Sequence, residues 1–372
     1  MKTKLVVMNS LLALTLLAGC AGLGMLNGGG PSEASSNAQT INLADVTPAA
    51  VSEPVTATAA DETTQGVVAA AEALLATLDE AQRAKALFAF DDAKQRANWS
   101  NFPTGIYQRS GLRMGDLSQE QRAAVFAVLE ATLSPEGYQR VLDQVTGDEV
   151  LKSTDGGGNL IFGQDEFYFS ILGTPSATDP WMWQFGGHHL ALNATVVGGT
   201  ITLAPSLTGG QPIQYTSDGR AVYQWQEEND AAFALINALD AEQQKQAILG
   251  NSYIQLVLGP GEDGKTIAPE GIKVSDLNAD QQKLLLDLIR VRVGMLKEDD
   301  ATAKMAEIAA NLNETWFAWY GPTTNGQPAY YRIQGPTLFI EYSPQSMGGS
   351  AIDHIHAMFR DPTNDYGAAL IK

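Results

Sequence analysis

"DEFYFSILGTPSATDPWMWQFGGHHLALN", Asp165 to Asn193, lies without a gap over "NETWFAWYGPTTNGQPAYYRIQGPTLFIE", Asn313 to Glu341. Both stretches are rich in aromatic and β-branched residues and are punctuated by Gly, Pro and Asn, a pattern that predicts strands joined by turns. The same pairing continues on the N-terminal side. "ALLATLDEAQRAKAL" from Ala73 matches "ALINALDAEQQKQAI" from Ala234, and "GLRMGDLSQEQRAAVFAVLE" from Gly111 matches "GIKVSDLNADQQKLLLDLIR" from Gly271. Apolar residues at helical spacing behind Ser118 and Asn278, both good N-caps, make these amphipathic helices. On the C-terminal side the match loosens, with "TITLAPSLTGG" from Thr200 set against "HIHAMFRDPTN" from His354. The predicted fold class is therefore α+β: two pseudo-repeated halves, 65–220 and 221–372, each with helices followed by antiparallel strands. The strands of one half are too few and too apolar to stand alone, so the halves are expected to pack as one unit.

All four histidines of the chain fall in the strand-rich parts, and none of them repeats. His189 lies over Thr337, Asn193 over Glu341, Thr200 over His354 and Thr202 over His356. Different polar groups at matching places suggest one asymmetric site between the halves. Read as a strand, "IDHIHAMFRD" puts Ile352, His354, His356, Met358 and Arg360 on one face, so both imidazoles point the same way. In "GGHHLALN" the same alternation groups His188 with Leu190 and Leu192, and His189 with Ala191 and Asn193. His189 is thus expected to reach the polar pocket, and His188 to be a supporting group, or the ligand itself if the phase is off by one residue. In "TLFIEYS", Thr337, Phe339 and Glu341 share a face. A buried Glu341 needs a cation, either a metal ion, Arg332, Arg360 or a protonated histidine.

Three imidazoles and a carboxylate suit zinc, with copper or iron as alternatives, and suit calcium poorly. The expected metal ligands are His189, His354, His356 and Glu341, with His188 beside them. The tail "RDPTNDYG" reads as a Pro-containing turn. It also offers Arg360 for an anionic substrate group and Asp365 as a general base or a partner for an imidazole. Glu341 is the other candidate base. The sequence carries no Gly-rich phosphate loop, no nucleophile elbow, no cysteine nucleophile and no heptads.

The first residues, "MKTKLVVMNSLLALTLLAGC", set Lys2 and Lys4 before an apolar run too short to span a membrane, and end in a lipobox at Leu17 to Cys20. A lipoprotein signal at 1–19, lipid on Cys20 and a disordered tether at 20–64 without aromatic residues, Lys or Arg are expected. The chain has a formal charge of −19, and loss of Lys2 and Lys4 makes it −21 (−19 − 2). Such a charge excludes nucleic acid as a partner. A lipid-anchored protein of the bacterial cell envelope follows.

The segments "WQFGGHHLALN", "APSLTGGQP", "YYRIQGPTLFIEY" and "HIHAMFRDPTNDYG" resemble the bacterial domain-of-unknown-function family numbered 3500, over roughly residues 65 to 372. Gly187, His188, His189, Glu341, His354, His356, Arg360, Asp361, Asp365 and Gly367 match its pattern. The resemblance implies exported or membrane-attached bacterial proteins and brings no activity with it. Three functional expectations remain. The first is a metal-dependent hydrolase acting on a small-molecule or anionic substrate. The others are a non-catalytic metal- or ligand-binding lipoprotein and a structural envelope protein.

Overall fold

The computed structural model describes residues 59–155 and 159–371, all within one unit spanning Gln39–Lys372. The lipobox, Cys20 and most of the expected tether lie outside the described residues. Several of the helices begin at a side-chain cap. Asp61 accepts from Thr64 N at 2.7 Å and starts α1 (Glu62–Thr77). Helix therefore begins inside the stretch expected as tether, where Thr64, 1 % exposed, is already packed. Capping boxes Asp79/Gln82 and Ser118/Gln121 start α2 (Glu80–Ala86) and α4 (Gln119–Thr132), with the short α3 (Ala93–Arg96) between them. Helix α5 (Pro135–Asp155) follows. Past the first strands come α6 (Gln226–Ala238), α7 (Ala241–Ala247), α8 (Ala279–Val293) and α9 (Glu298–Ala310). Boxes Asp240/Gln243 and Asn278/Gln281 start α7 and α8. The box glutamines also join helix to helix: Gln121 Nε2 donates to Gln82 Oε1 at 2.9 Å, and Gln281 Nε2 to Gln243 Oε1 at 2.7 Å.

The strands are β1 (Leu87–Phe88), β2 (Leu112–Arg113), β3 (Tyr168–Leu172), β4 (Trp181–Gly187), β5 (Leu190–Val197), β6 (Thr200–Thr202) and β7 (Ser206–Gly210). A separate hairpin, β8 (Gln214–Ser217) and β9 (Arg220–Tyr223), precedes β10 (Ile248–Gly250), β11 (Ile272–Lys273), β12 (Trp316–Tyr320), β13 (Tyr330–Gly335), β14 (Leu338–Pro344) and β15 (Ile355–Arg360). One large, mostly antiparallel sheet runs β1-β3-β4-β5-β7-β15-β14-β13-β12-β10. Its two ends, β1 on β3 and β10 on β12, are parallel, and β7 meets β15 antiparallel at the centre. Across the strands Ser170, Gln184 and Asn193 stand in one row, and Ala318, Arg332 and Glu341 in another.

The pleat sorts the residues into two faces. Trp183, Phe185, Leu192, Ile333, Ile340 and Ala357 point to the helices and join the main core. Gln184, Asn193, Arg332, Glu341 and Met358 point the other way, under two long connections around 89–111 and 251–271. These connections make contact at Gln95 with Gln184 and at Val257 with Glu341, while Trp99 and Leu256 cap a small cluster of Ala191, Leu207 and Met358. The looser match of Thr200 with His354 has a counterpart in the pairing. Thr202 stands opposite Thr195 on β5 as His356 stands opposite Ser343 on β14, and Ile201 opposite Val196 as Ile355 opposite Pro344. Strands β6 and β7 follow one another along the same edge of β5, and the register has shifted by one residue at β7, where Ser206 stands opposite Leu192.

Candidate metal centre

His188 and His189 do not lie on a strand as expected. They form the two-residue turn between β4 and β5, bounded by the Gly187–Leu190 pair. His189 sits at φ +61°, a left-handed conformation that L side chains adopt at a cost of about 1 kcal/mol or more. The turn swings its ring onto the face where β15 presents His356, with His354 one residue ahead of that strand. Nε2 of His354 then lies 2.9 Å from Nε2 of His189 and 3.1 Å from Nε2 of His356. The three ring centroids form a near-equilateral triangle with sides of 4.7, 5.0 and 4.9 Å. All three rings are buried, and their lone pairs could hold a metal ion.

Burial pushes His354 down to about 4 and holds His189 and His356 well below the ordinary histidine value, with neighbouring imidazoles adding to the effect at His189 and His356. All three are neutral at pH 7. His354 Nδ1 lies 2.6 Å from Met347 O, so it donates there and its Nε2 carries the lone pair. That one lone pair faces two imidazole nitrogens and can accept a hydrogen bond from only one. A cation at the common focus satisfies all three. Nitrogens bound tetrahedrally at 2.0–2.1 Å stand about 3.3 Å apart, within about half an ångström of the spacing seen.

The support around the cluster comes largely from the connection near residue 100. Asn101 accepts from His189 N at 3.3 Å through its carbonyl, and its side chain lies 3.5 Å from His356 Nδ1. Arg109 clamps this segment: its Nη2 donates to Ser100 O, Phe102 O and Gly187 O at 2.6–2.7 Å. Burial lowers its pKa to about 10, against the pull of Tyr107 and more distant acids. Gly209, opposite His356 on β7, leaves room for the rings. A Cβ there would meet Ile355 O at 2.6 Å and approach His356 and His189 at 3.3 and 3.4 Å.

His188 stands outside the triad as a supporting group. Its Nδ1 lies 2.6 Å from Asp148 Oδ1, and its ring stacks on His189 with centroids 3.6 Å apart. Glu341 is not brought to the imidazoles. It is fully buried and accepts from Val257 N, Leu258 N and Tyr330 Oη at 2.7, 2.9 and 2.6 Å. Burial raises its pKa, while those donors and Arg332 pull it back. Of the cations weighed from sequence, the neighbour it meets is Arg332, its partner across β13. Arg360 is likewise spent: it donates to Leu258 O, Gly259 O, Asp263 and Asp365, which leaves no free edge for an anionic substrate. Asp365, raised to about 6 by burial, accepts from Arg360 and Asp361 N inside the predicted turn, remote in role from an imidazole.

Residues 60–368 match a family model described as "Protein of unknown function (DUF3500)". The chain belongs to the DUF3500 family. Neither the curated proteins nor the solved structures yield a match. The DUF3500 match covers the described unit from α1 to the final turn, so it takes in every residue of the imidazole cluster and its clamp.

Proposed function

We propose that this DUF3500 chain binds one divalent ion of the zinc class through Nε2 of His189, His354 and His356, and uses it to activate water for hydrolysis of a small molecule. The convergence of three neutral imidazoles on one focus carries this reading. Three protein ligands leave a fourth position for water, whose pKa such an ion brings to about 7. Copper or iron would accept the same donors. Element analysis of the full-length chain, purified without chelator, should find about one ion per chain, lost in His354→Ala. A wild-type protein with no bound metal after growth in zinc, copper or iron would overturn the proposal.

A second reading, a metal centre without turnover, draws support from burial: the three rings are only 4–6 % exposed. Cobalt replacement separates the two. A visible spectrum that shifts on adding azide marks an open position, and one that does not marks a closed site.

We also propose that the two halves arose by duplication. Support comes from the equal registers of Ser170–Gln184–Asn193 and Ala318–Arg332–Glu341, and from the paired box glutamines in each half. We propose further that the chain is exported and lipid-anchored at Cys20. Cys20→Ser should move it from the membrane fraction to the soluble one, and a variant that still sediments after a salt wash would end that claim.

A further inference from the structure

The metal centre leaves unexplained a cavity of about 290 Å³ beside the β8–β9 hairpin and the start of α6. It lies against the opposite face of the central strand: Ile355, which packs toward the helices, lines it, whereas His354 and His356 do not. Its wall combines two kinds of group. Tyr223, Trp225 and Tyr342 supply aromatic surface, and six amide side chains, among them Gln224, Gln226 and Gln327, supply paired donors and acceptors. Among the described residues that line it, Asp230 alone is charged.

Two of these residues hold polar atoms that the protein does not satisfy. Trp225 is 5 % exposed and its indole N–H has no partner, and Gln224 is 7 % exposed with its amide oxygen equally unpartnered. Buried polar atoms of this kind are rare and call for a specific cause. Trp225 also sits at φ +64°, a conformation that bulky residues seldom adopt and that persists only where the surroundings fix it. Arg140 and Arg292 lie over its ring at 5.7 and 5.2 Å, holding the indole from within the protein.

We propose that this cavity is a binding site for a neutral polyhydroxylated ligand, a mono- or disaccharide. Adjacent amide donors and acceptors match vicinal hydroxyls, and aromatic faces match the C–H faces of a sugar ring. An anionic ligand would meet no cation in the wall and would face Asp230. A purely apolar ligand would strip the amides of water without replacing it. The volume falls at the lower edge of small-ligand pockets, roughly 300–1,000 Å³.

Calorimetric titration of the full-length protein with cellobiose, maltose and N,N′-diacetylchitobiose tests this. At least one is expected to bind with a Kd in the millimolar range or tighter. Tyr223→Ala, at a residue 56 % exposed, and Gln224→Met should each weaken that binding about tenfold, with the melting temperature and the metal content of Tyr223→Ala unchanged. Absence of binding by all three sugars would overturn the proposal. So would sugar binding that neither variant weakens, since the ligand would then sit elsewhere. Because metal content is read separately, a failed metal centre and a failed sugar site give different results.

Discussion

Nε2 of His354 lies 2.9 Å from Nε2 of His189, 165 residues earlier in the chain. The contact exists because β7 and β15 meet at the centre of the sheet and the β4–β5 turn reaches over their junction. The turn conformation allows a clean test. Asn tolerates the left-handed region far better than other side chains, so His189→Asn keeps the turn and removes the ligand. Its metal affinity should fall at least about 100-fold, while the metal-free protein melts within about 2 °C of the metal-free wild type. A variant that retains its ion would show that His189 is not a ligand.

Arg109 makes a complementary prediction, because it touches no imidazole. Through one nitrogen it ties the carbonyls on either side of Asn101 to the residue before His188. Arg109→Lys keeps the charge but cannot span three carbonyls in the same way. Metal affinity should fall about 10- to 100-fold, as is usual when groups that orient ligands are lost. Unchanged affinity alongside a lowered melting temperature would reduce Arg109 to a general structural role.

The presence of the strands is legible because aromatic and β-branched residues alternate between Gly and Pro turns. That alternation put His356, Met358 and Arg360 on one face of β15, whereas Ile352, expected on the same face, lies in the turn before the strand and lines the cavity beside Ile355. The turn at His188–His189 was hidden, since it lacks the Asn-Gly or Asp-Gly signal and uses a left-handed histidine instead. Glu341 is expected from the sequence to need a cation when buried, but besides Tyr330 its donors come from the 251–271 connection, whose aperiodic sequence gives no register. Asn101 and Arg109 were unreadable for the same reason. Asp148 did leave a trace. Val141, Gln144, Val145, Asp148 and Leu151 form the buried stripe of α5, and two polar residues interrupt an otherwise apolar helical spacing. Both serve this region, Asp148 at His188 and Gln144 at Gly209 N.

Asp300, in the first turn of α9, gives a pH-dependent prediction. Its carboxyl is raised from 3.8 to about 6, chiefly by burial, against a hydrogen bond from Ile201 N at 2.9 Å. The folded state therefore holds this proton more tightly than the unfolded state. The stability it confers is complete below pH 3.8 and is lost as the pH rises through about 6. Asp300→Asn keeps an acceptor for Ile201 and removes the ionisation. Discounted for its partial exposure, the variant should gain about 1 kcal/mol at pH 7 and nothing near pH 4. Urea unfolding at the two pH values measures the difference, and a gain that is equal at both would refute the assignment.

The last prediction concerns a set of core positions at which the two proposed halves differ. In the first, Trp183 Nε1 donates to Thr132 Oγ1 at 3.2 Å, and Val67 is buried in the same core. Trp183 lies over Tyr331, and extending the two paired helical stretches by a few residues sets Thr132 over Arg292 and Val67 over Glu228. Arg292 pairs with Glu228 at 2.7 Å, both almost fully buried, and Tyr331 Oη donates to Glu228 at 2.5 Å. Burial and the neighbouring carboxylate hold the Tyr331 phenol far above its usual range, so it stays a donor. Removing one charge strands the other, and Glu228→Gln or Arg292→Met should each cost about 3–5 kcal/mol. Replacing the whole set is different, because a buried ion pair contributes little beyond what apolar packing of equal volume supplies. The triple variant Glu228→Val, Arg292→Thr, Tyr331→Trp installs the arrangement of the first half. It should recover at least about 2 kcal/mol relative to either single variant, read by chemical denaturation. If the triple variant is less stable than both singles, the two positions do not share one packing geometry and the proposed equivalence of the halves fails at its core.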